Sequence, residues 1–348
     1  MTQRGVDHSG AKIGLSADLF NTQGRPAFGS APLSLLSDAG LAWDLVPTHQ
    51  GQLPAAAFTD YEALLIGGSR VSDAELAHES GKLRVIARNG VGYDAVDTKA
   101  LSKRGILLTN TPVAVRNAVA TTAVAFILAL SLRLPLKSRL AREGRWKERA
   151  DHPGIGLPGR TLGIIGLGGI GRELARLMQP YGMKILAADP HRDAEVAAQA
   201  GATLCELDNL MRLSDFVVVA CLLDDTTRRL VNVDRLRLMK PSAYLINVAR
   251  GPIIDEPALI EALSQGRIAG AALDVFEREP PDLSNPLLTM ETVISTPHCL
   301  CWTDSFVESV ATDAISGIIN VINGRLPEFI VNAEAKNHPR VRTWTLAP

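Results

Sequence analysis

Three side chains in the last third of the chain are of types that together can reduce a carbonyl group. Arg250 follows the apolar run 243–249, and a guanidinium group can bind a carboxylate through two parallel N–H groups. His298 follows Pro297, and an imidazole can exchange a proton near neutral pH. Glu279, 19 residues before His298, can orient the imidazole and favour its protonated form. We predict acid–base chemistry beside a bound carboxylate, although each residue alone also fits a turn, a cap or a structural role.

A glycine-rich turn lies near the middle of the chain. Gly166-Leu-Gly168-Gly169-Ile170-Gly171 separates the β-rich run 161–165 from the helix-forming run 172–179. In this context the first glycine permits a tight turn, the second lets the backbone approach a pyrophosphate, and the third lets the helix lie close to the sheet. The next strand, 184–188, ends at Asp189, whose carboxylate can bind ribose hydroxyls and repel a 2′-phosphate. The pattern predicts that the chain binds NAD rather than NADP. The alternative is that the glycines serve only packing and that Asp189 only caps a turn.

Short apolar runs alternate with longer helical stretches along the whole chain, which is the pattern of βαβ units and parallel sheets. The first part predicts strands at 12–16, 63–68 and 84–88, with a helix at 32–40 between the first two. These elements form a first, smaller α/β unit.

A proline-containing break, Asn110-Thr-Pro112, ends this first unit, because the residue before proline is biased away from the helix. The apolar run 118–132 that follows is too short to span a membrane and contains Thr and Ser, so it predicts a buried core helix and no membrane span. Residues 141–160 predict a surface connection, and residues 335–348 predict a loosely held tail.

The composition limits the class of protein. With 348 residues, 46% of them hydrophobic, and a net charge of −1, the chain fits two globular domains and lacks the basic face of a nucleic-acid binder. The N-terminus has no apolar signal region and only four cysteines occur, so we expect a cytoplasmic, reducing location. Cys299-x-Cys301 beside His298 has no second Cys/His pair at ligand spacing, so no metal is predicted.

Six blocks of sequence, in order, resemble the D-isomer-specific 2-hydroxyacid dehydrogenase family. The resemblance extends from about residue 60 to residue 330, and it implies an α/β fold with two Rossmann-like, doubly wound parallel-sheet domains. A central NAD domain, 111–302, would be inserted in a flavodoxin-like substrate domain made of 1–110 and 303–348. The blocks are Ala87–Asp97, Asn110–Pro112, Gly166–Gly171, Asn247–Gly251, Ala272–Pro280 and Thr296–His298.

The resemblance implies an NAD(H)-dependent oxidoreductase that interconverts a small D-2-hydroxy acid and its 2-keto acid, with a homodimer formed through the NAD domain. Arg250 would bind the substrate carboxylate and the keto oxygen. His298, paired with Glu279, would donate a proton to the carbonyl while NADH delivers hydride. Asp274 would accept a hydrogen bond from the nicotinamide carboxamide. The remaining implied contacts are to the substrate through Asn89, Gly90, Val91 and Gly92, and to the cofactor through Val91, Cys221, Val248 and Ala249.

Departures from the family pattern leave the substrate open. The family's His-x-Pro-Leu-Thr block is replaced from Ala220 onward, and the small residues that usually follow the histidine are replaced by the segment 299–302, which ends in Trp302. Two alternatives share the scaffold: an NAD-sensing protein without catalysis, and a phosphite- or formate-type dehydrogenase. The NAD-sensing protein is disfavoured because Arg250, Glu279 and His298 are all present. The formate type is disfavoured because it has an amide at the position of Glu279.

Overall fold

The computed structural model describes residues 10–347, which divide into two compact units. The first unit contains the described residues up to Val115 and those from Thr303 onward, and the second unit is Arg116–Trp302.

The first unit is built on a five-stranded, all-parallel sheet in the order β2-β1-β3-β4-β5. This is the flavodoxin-like order, in which the chain reverses direction across the sheet between β1 and β3. Apolar side chains are buried on both faces of the sheet, as is usual for parallel strands covered by helices. Its elements up to Val115 are β1 (Lys12–Ser16), α1 (Ala31–Asp38), β2 (Ala42–Val46), α2 (Ala56–Asp60), β3 (Ala63–Ile66), α3 (Asp73–Leu76), β4 (Val85–Arg88), α4 (Thr98–Arg104) and β5 (Leu107–Thr109).

The second unit is built on a seven-stranded parallel sheet in the order β12-β11-β10-β9-β6-β7-β8. Its first strand, β6, lies inside the sheet, so the chain winds outward in both directions, as in dinucleotide-binding folds. The elements are α5 (Arg116–Ser131), α6 (Leu134–Arg142), β6 (Thr161–Ile165), α7 (Gly169–Met178), β7 (Lys184–Ala188), α8 (Ala194–Gln199), β8 (Thr203–Leu204), α9 (Leu207–Leu213), β9 (Phe216–Val219), α10 (Val233–Leu238), β10 (Tyr244–Asn247), α11 (Glu256–Ser264), β11 (Gly270–Leu273) and β12 (Val293–Ser295). The predicted α/β class with two doubly wound parallel sheets is confirmed.

Three elements complete the first unit: α12 (Asp304–Ile322), β13 (Arg325–Leu326) and β14 (Thr345–Leu346). Thr303 caps α12 by accepting a hydrogen bond from the N–H of Phe306. Helix α12 has the length and apolar composition of a membrane span, as do α5 and α6 if they are taken as one bent pair. A core helix passes the same test, and six of the seven buried residues of α12 belong to the first unit's hydrophobic core.

The prediction of a loosely held tail from residue 335 is wrong for the part that the structure describes. Val341 is buried, β14 pairs with β13, and the guanidinium of Arg340 donates hydrogen bonds to three backbone carbonyls. The segment has few apolar residues and is held by hydrogen bonds from Arg340 to backbone carbonyls. Such contacts leave no hydrophobic pattern that could be recognised in the sequence.

Candidate active site and cofactor site

The glycine turn between β6 and α7 has the close backbone packing that a dinucleotide requires. Gly166 has φ +95°, and a Cβ atom there would lie 2.7 Å from the Cα of Cys221. A Cβ atom on Gly171 would lie 2.1 Å from the carbonyl oxygen of Gly166. At Gly168 a Cβ atom would have no other atom within 4 Å. The first and third glycines therefore allow the turn to pack, while the second leaves open space in front of the turn.

Helix α7 presents at this turn N–H groups that have no partner within residues 10–347. Its N-cap, Gly168, has no side chain to cap them, and the N–H groups of Gly169, Ile170 and Gly171 precede the first intrahelical hydrogen bond, from Arg172 to Gly168. These donors and the positive end of the helix dipole favour an anion. The residues fit the pyrophosphate of a dinucleotide.

Asp189 lies directly after β7, on the wall of a cavity of about 820 Å³ next to the glycine turn. One carboxylate oxygen accepts the N–H of Leu167 at 2.8 Å and the other accepts the N–H of His191 at 2.9 Å. Each oxygen can accept a further hydrogen bond, so the carboxylate is fixed in place and still able to bind ribose hydroxyls. Cys221 also lines the cavity, and burial raises the pKa of its thiol to about 12.

The turn after β10 places Arg250. Asn247, the last residue of β10, is buried; its amide donates to the carbonyl of Arg250 at 2.9 Å and its side-chain oxygen accepts the N–H of Ala249 at 3.0 Å. Val248 is tied to the neighbouring strand by its N–H, which donates to the carbonyl of Val219. The predicted cofactor contacts Val248 and Ala249 thus lie at the carboxyl edge of the sheet, where doubly wound sheets bind ligands.

Gly251 brings this turn against the segment after β11. A Cβ atom on Gly251 would lie 1.9 Å from the backbone of Phe276, so only glycine allows the two segments to pack this closely. The positive charge of Arg250 in turn acts on Glu279, three residues after Phe276. The charge of Arg250 therefore helps to lower the pKa of Glu279, although the two residues follow different strands.

His298 and Glu279 form a direct pair. Nδ1 of His298 lies 2.7 Å from Oε2 of Glu279, and the two side chains are 41% and 37% exposed. The other oxygen of Glu279 accepts the N–H of Phe276 at 3.0 Å. Burial alone would raise the pKa of Glu279, but the hydrogen bond and charge of His298, the Phe276 N–H and the charge of Arg250 hold that pKa below its ordinary value. Glu279 is therefore a carboxylate at neutral pH, paired with an accessible imidazole.

Asp274 differs from its sequence-based role in one respect. Its side chain is 5% exposed, and its Oδ1 already accepts hydrogen bonds from Thr296, Cys299 and Leu300 at 2.6, 3.1 and 3.2 Å. The sequence predicted only a contact to nicotinamide; the structure also attaches Asp274 to the loop that carries His298.

The loop after β4 belongs to the first unit. The sequence predicted that the amides of Asn89 to Gly92 bind a carboxylate, but the N–H of Asn89 donates to the carbonyl of Ile66 and the N–H of Gly90 to that of Arg88. Among residues 10–347, the N–H groups of Val91 and Gly92 have no such partner, and the buried side-chain oxygen of Asn89 has none either. The donors left for a ligand are thus those of Val91 and Gly92.

Sequence reasoning gave no role to Asn247 and Thr296. Both lie within blocks that carry the family resemblance, each close to the end of a strand, which was the available signal. Within residues 10–347, no three His, Cys, Asp or Glu side chains form a group that could hold a metal ion.

Comparison with known proteins identifies the family of the chain. Residues 124–299 match the NAD-binding domain of the D-isomer-specific 2-hydroxyacid dehydrogenases. The chain is 39% identical over 284 residues to a glyoxylate reductase of Thermococcus onnurineus, covering 80% of this chain and 85% of that protein. The chain belongs to the D-isomer-specific 2-hydroxyacid dehydrogenase family. It is an NAD-dependent oxidoreductase of CH–OH donors, so the predicted family, enzyme class and cofactor are confirmed.

Two further relatives of this dehydrogenase differ in substrate. It is 37% identical over 290 residues to a D-3-phosphoglycerate dehydrogenase of Methanocaldococcus jannaschii, covering 83% of this chain but only 55% of that protein. It is also similar, with a TM-score of 0.78 and 25% identity over 90% of this chain and 96% of the other, to a D-lactate dehydrogenase of Aquifex aeolicus solved with NAD and lactic acid. The relatives therefore agree on the reaction class and differ in the 2-hydroxy acid.

Proposed function

We propose that this dehydrogenase reduces a small 2-keto acid to the D-2-hydroxy acid with NADH, in a reversible reaction. The observation that carries the proposal is the 2.7 Å pair of His298 and Glu279 beside the positive charge of Arg250. An acid, its orienting carboxylate and a fixed cation are what carbonyl reduction needs as negative charge develops on the oxygen.

The proton moves through His298. Glu279 accepts from Nδ1, so the opposite nitrogen, Nε2, is the one that donates to the carbonyl oxygen of the substrate. NADH, when bound, supplies the hydride. Because Glu279 stays ionised, it stabilises the positive imidazolium before the proton is transferred, and His298 recovers its proton from solvent. Oxidation of the hydroxy acid runs the same steps in reverse.

The substrate carboxylate is bound by Arg250, whose planar guanidinium matches two carboxylate oxygens. That the N–H groups of Val91 and Gly92 also bind it stays a prediction of the family resemblance. Glyoxylate is the first substrate to test, because a relative covered over 85% of its length is a glyoxylate reductase. The covered part of the phosphoglycerate dehydrogenase is smaller, which gives 3-phosphohydroxypyruvate less support.

NAD is preferred to NADP because the carboxylate of Asp189 lies on the wall of the cavity next to the glycine turn. A 2′-phosphate bound there would be repelled by that charge. The ratio of NADH to NADPH affinities tests this preference, and Asp189→Asn is expected to reduce it.

A homodimer through the second unit is supported by an exposed apolar group near α6. Leu132, Leu134 and Trp146, before, at the start of and after α6, are each more than half exposed, and exposed apolar side chains that share one patch mark protein–protein interfaces. Sedimentation of the wild type beside Trp146→Asp tests this surface. A cytoplasmic location remains the expectation from the cysteine content.

Turnover of 2-keto acids by the purified chain is the deciding experiment. NADH oxidation is followed with glyoxylate, hydroxypyruvate, pyruvate, phenylpyruvate and 2-ketobutyrate, for the wild type and His298→Ala. Turnover of at least one acid by the wild type, lost in the variant, supports the proposal. Tight NADH binding without turnover of any acid would instead favour a nucleotide-sensing protein.

A further inference from the structure

Asp274 connects the two sides of the loop that carries His298. A single oxygen, Oδ1, accepts the hydroxyl of Thr296 before His298 and the N–H groups of Cys299 and Leu300 after it. The side chain is 5% exposed. Hydrogen bonds to an ionised carboxylate are stronger than those between neutral groups, more so where water is excluded.

The loop needs an external attachment because its backbone is strained at His298. The φ angle of His298 is +51°, in the left-handed region that a residue with a Cβ atom seldom adopts. Its own N–H donates to the carbonyl of Thr296, two residues back. Asp274 holds the residues on both sides of this position, so the strained conformation is fixed from outside the loop.

The same segment also fixes the partner of His298. Two residues after Asp274, the N–H of Phe276 donates to Oε1 of Glu279 at 3.0 Å. Asp274 itself is held to β10 by its N–H, which donates to the carbonyl of Asn247. The segment 274–279 therefore holds the imidazole through Asp274 and the carboxylate through Phe276, and it sets the 2.7 Å distance between them.

We infer that Asp274 is a positioning residue for His298, acting through the loop 296–300, in addition to any contact it makes with nicotinamide. The inference rests on the proposed function of His298 and Glu279 as the acid–base pair. The two carboxylate oxygens separate the two roles: Oδ1 holds the loop, whereas an acceptor for a carboxamide N–H would be Oδ2.

Substitutions at two positions separate these roles. Asp274→Asn keeps an acceptor oxygen for the loop and replaces the other oxygen by a donor, so kcat should stay within a few-fold of the wild type while KM for NADH rises. Asp274→Ala removes both, and kcat should fall by at least about 100-fold, the scale expected for a displaced catalytic group. Thr296→Val removes one of the three bonds, and kcat should fall about two- to tenfold with KM for NADH unchanged.

Asp215→Asn is the matched control for lost stability. Asp215 is 8% exposed and its carboxylate also accepts a backbone N–H, from Thr161, but at the amino end of the same sheet. Asp215→Asn should lower Tm without lowering kcat.

A double variant tests whether Asp274 and Glu279 act on the same group. Because Asp274→Ala and Glu279→Gln disrupt the same pair, the double variant should lower kcat little more than the more severe single variant does.

The ring resonances of His298 give a readout that needs no turnover. Their chemical shifts at neutral pH in Asp274→Ala and in Thr296→Val should move from the wild-type values toward those of Glu279→Gln, because each variant disturbs the contact between Nδ1 and Glu279. Equal kinetic effects of Asn and Ala at position 274, confined to NADH binding, together with unchanged chemical shifts of His298, would overturn the inference. Absence of wild-type turnover with every 2-keto acid would instead overturn the proposed function, and the chemical shifts would still decide the role of Asp274.

Discussion

Nδ1 of His298 and Oε2 of Glu279 are 2.7 Å apart, although 18 residues of chain separate the two side chains. The pairing follows from the sheet: β11 and β12 are neighbouring parallel strands, so the segments after them leave the same edge. Because Glu279 holds one imidazole nitrogen, the other is left for a substrate. The pair is the part of the site whose chemistry can be tested most directly.

Glu279→Gln should slow the reduction without abolishing NADH binding. A glutamine side chain can still reach Nδ1 of His298, but it carries no negative charge to stabilise the imidazolium that donates the proton. We expect kcat to fall by about 100-fold or more, the usual range for a disabled acid–base group. The measurement is kcat at neutral pH for both proteins, with NADH affinity as the control; an unchanged kcat would contradict the pairing.

Arg250→Lys should lower kcat/KM for the 2-keto acid. Lysine keeps the positive charge but loses the planar, two-pronged donor set. Loss of a buried, charge-paired contact costs roughly 2–5 kcal/mol, which corresponds to about 30-fold or more in kcat/KM. NADH affinity should change little, and NADH fluorescence titration serves as the control. A kcat/KM near the wild-type value would show that Arg250 does not bind the carboxylate.

Gly168→Ala and Gly166→Ala should have different effects, although both remove a glycine of the same turn. Gly168 has φ −73° and open space at the Cβ position, so alanine should fold with an unchanged Tm and weaken NADH binding by occupying the pyrophosphate position. Gly166 has φ +95° and a Cβ there would contact Cys221, so alanine should lower Tm as well. Equal NADH affinity in Gly168→Ala and the wild type would remove this glycine from the cofactor site.

The sequence predicted local features of the second unit well, because strand, glycine turn and helix follow one another within about 20 residues. In the first unit, the sequence did not predict β2 (Ala42–Val46), an edge strand in which Asp44 interrupts the apolar run. In the structure Asp44 pairs with Lys12 of the neighbouring strand, a contact that depends on strand order rather than on local pattern.

Contacts between site residues that are distant in the sequence could be predicted only from the family resemblance or seen in the structure. Composition and spacing could not pair Glu279 with His298, because the pairing requires β11 and β12 to be neighbours. The same adjacency brings Thr296 and Leu300 to Asp274, which no local pattern indicates. The N–H groups of Asn89 and Gly90 were predicted to bind substrate but are bonded within the first unit: that of Asn89 continues the pairing of β4 with β3, and that of Gly90 closes a tight turn onto Arg88.

The four cysteines should react slowly with alkylating reagents while the protein is folded. Burial, with nearby carboxylates, raises the pKa of Cys205 and Cys299, and raises that of Cys221 and Cys301 to about 12. Since the thiolate is the reactive form, a thiol with pKa 12 is only about 10⁻⁴ ionised at pH 8. Mass spectrometry of iodoacetamide-treated protein should show labelling after unfolding in urea and little before; fast labelling of Cys301 in the folded protein would contradict the pKa shift.

Asp215 should contribute to stability at neutral pH and lose that contribution in acid. Burial alone would raise the pKa of Asp215, but the N–H of Thr161 and the charges of Lys240 and Arg160 lower it overall. A carboxyl whose pKa is lower in the folded state stabilises the fold above its unfolded pKa, near 4, and this effect disappears as the pH falls through the folded value. Asp215→Asn should therefore lower the free energy of unfolding at pH 7 by about 1–3 kcal/mol. Urea denaturation at several pH values should show the gap between the two proteins closing below about pH 4, because protonation then removes the same charge from the wild type. A gap that stays constant down to the lowest pH would mean that the shape of the side chain, rather than its charge, supplies the stability.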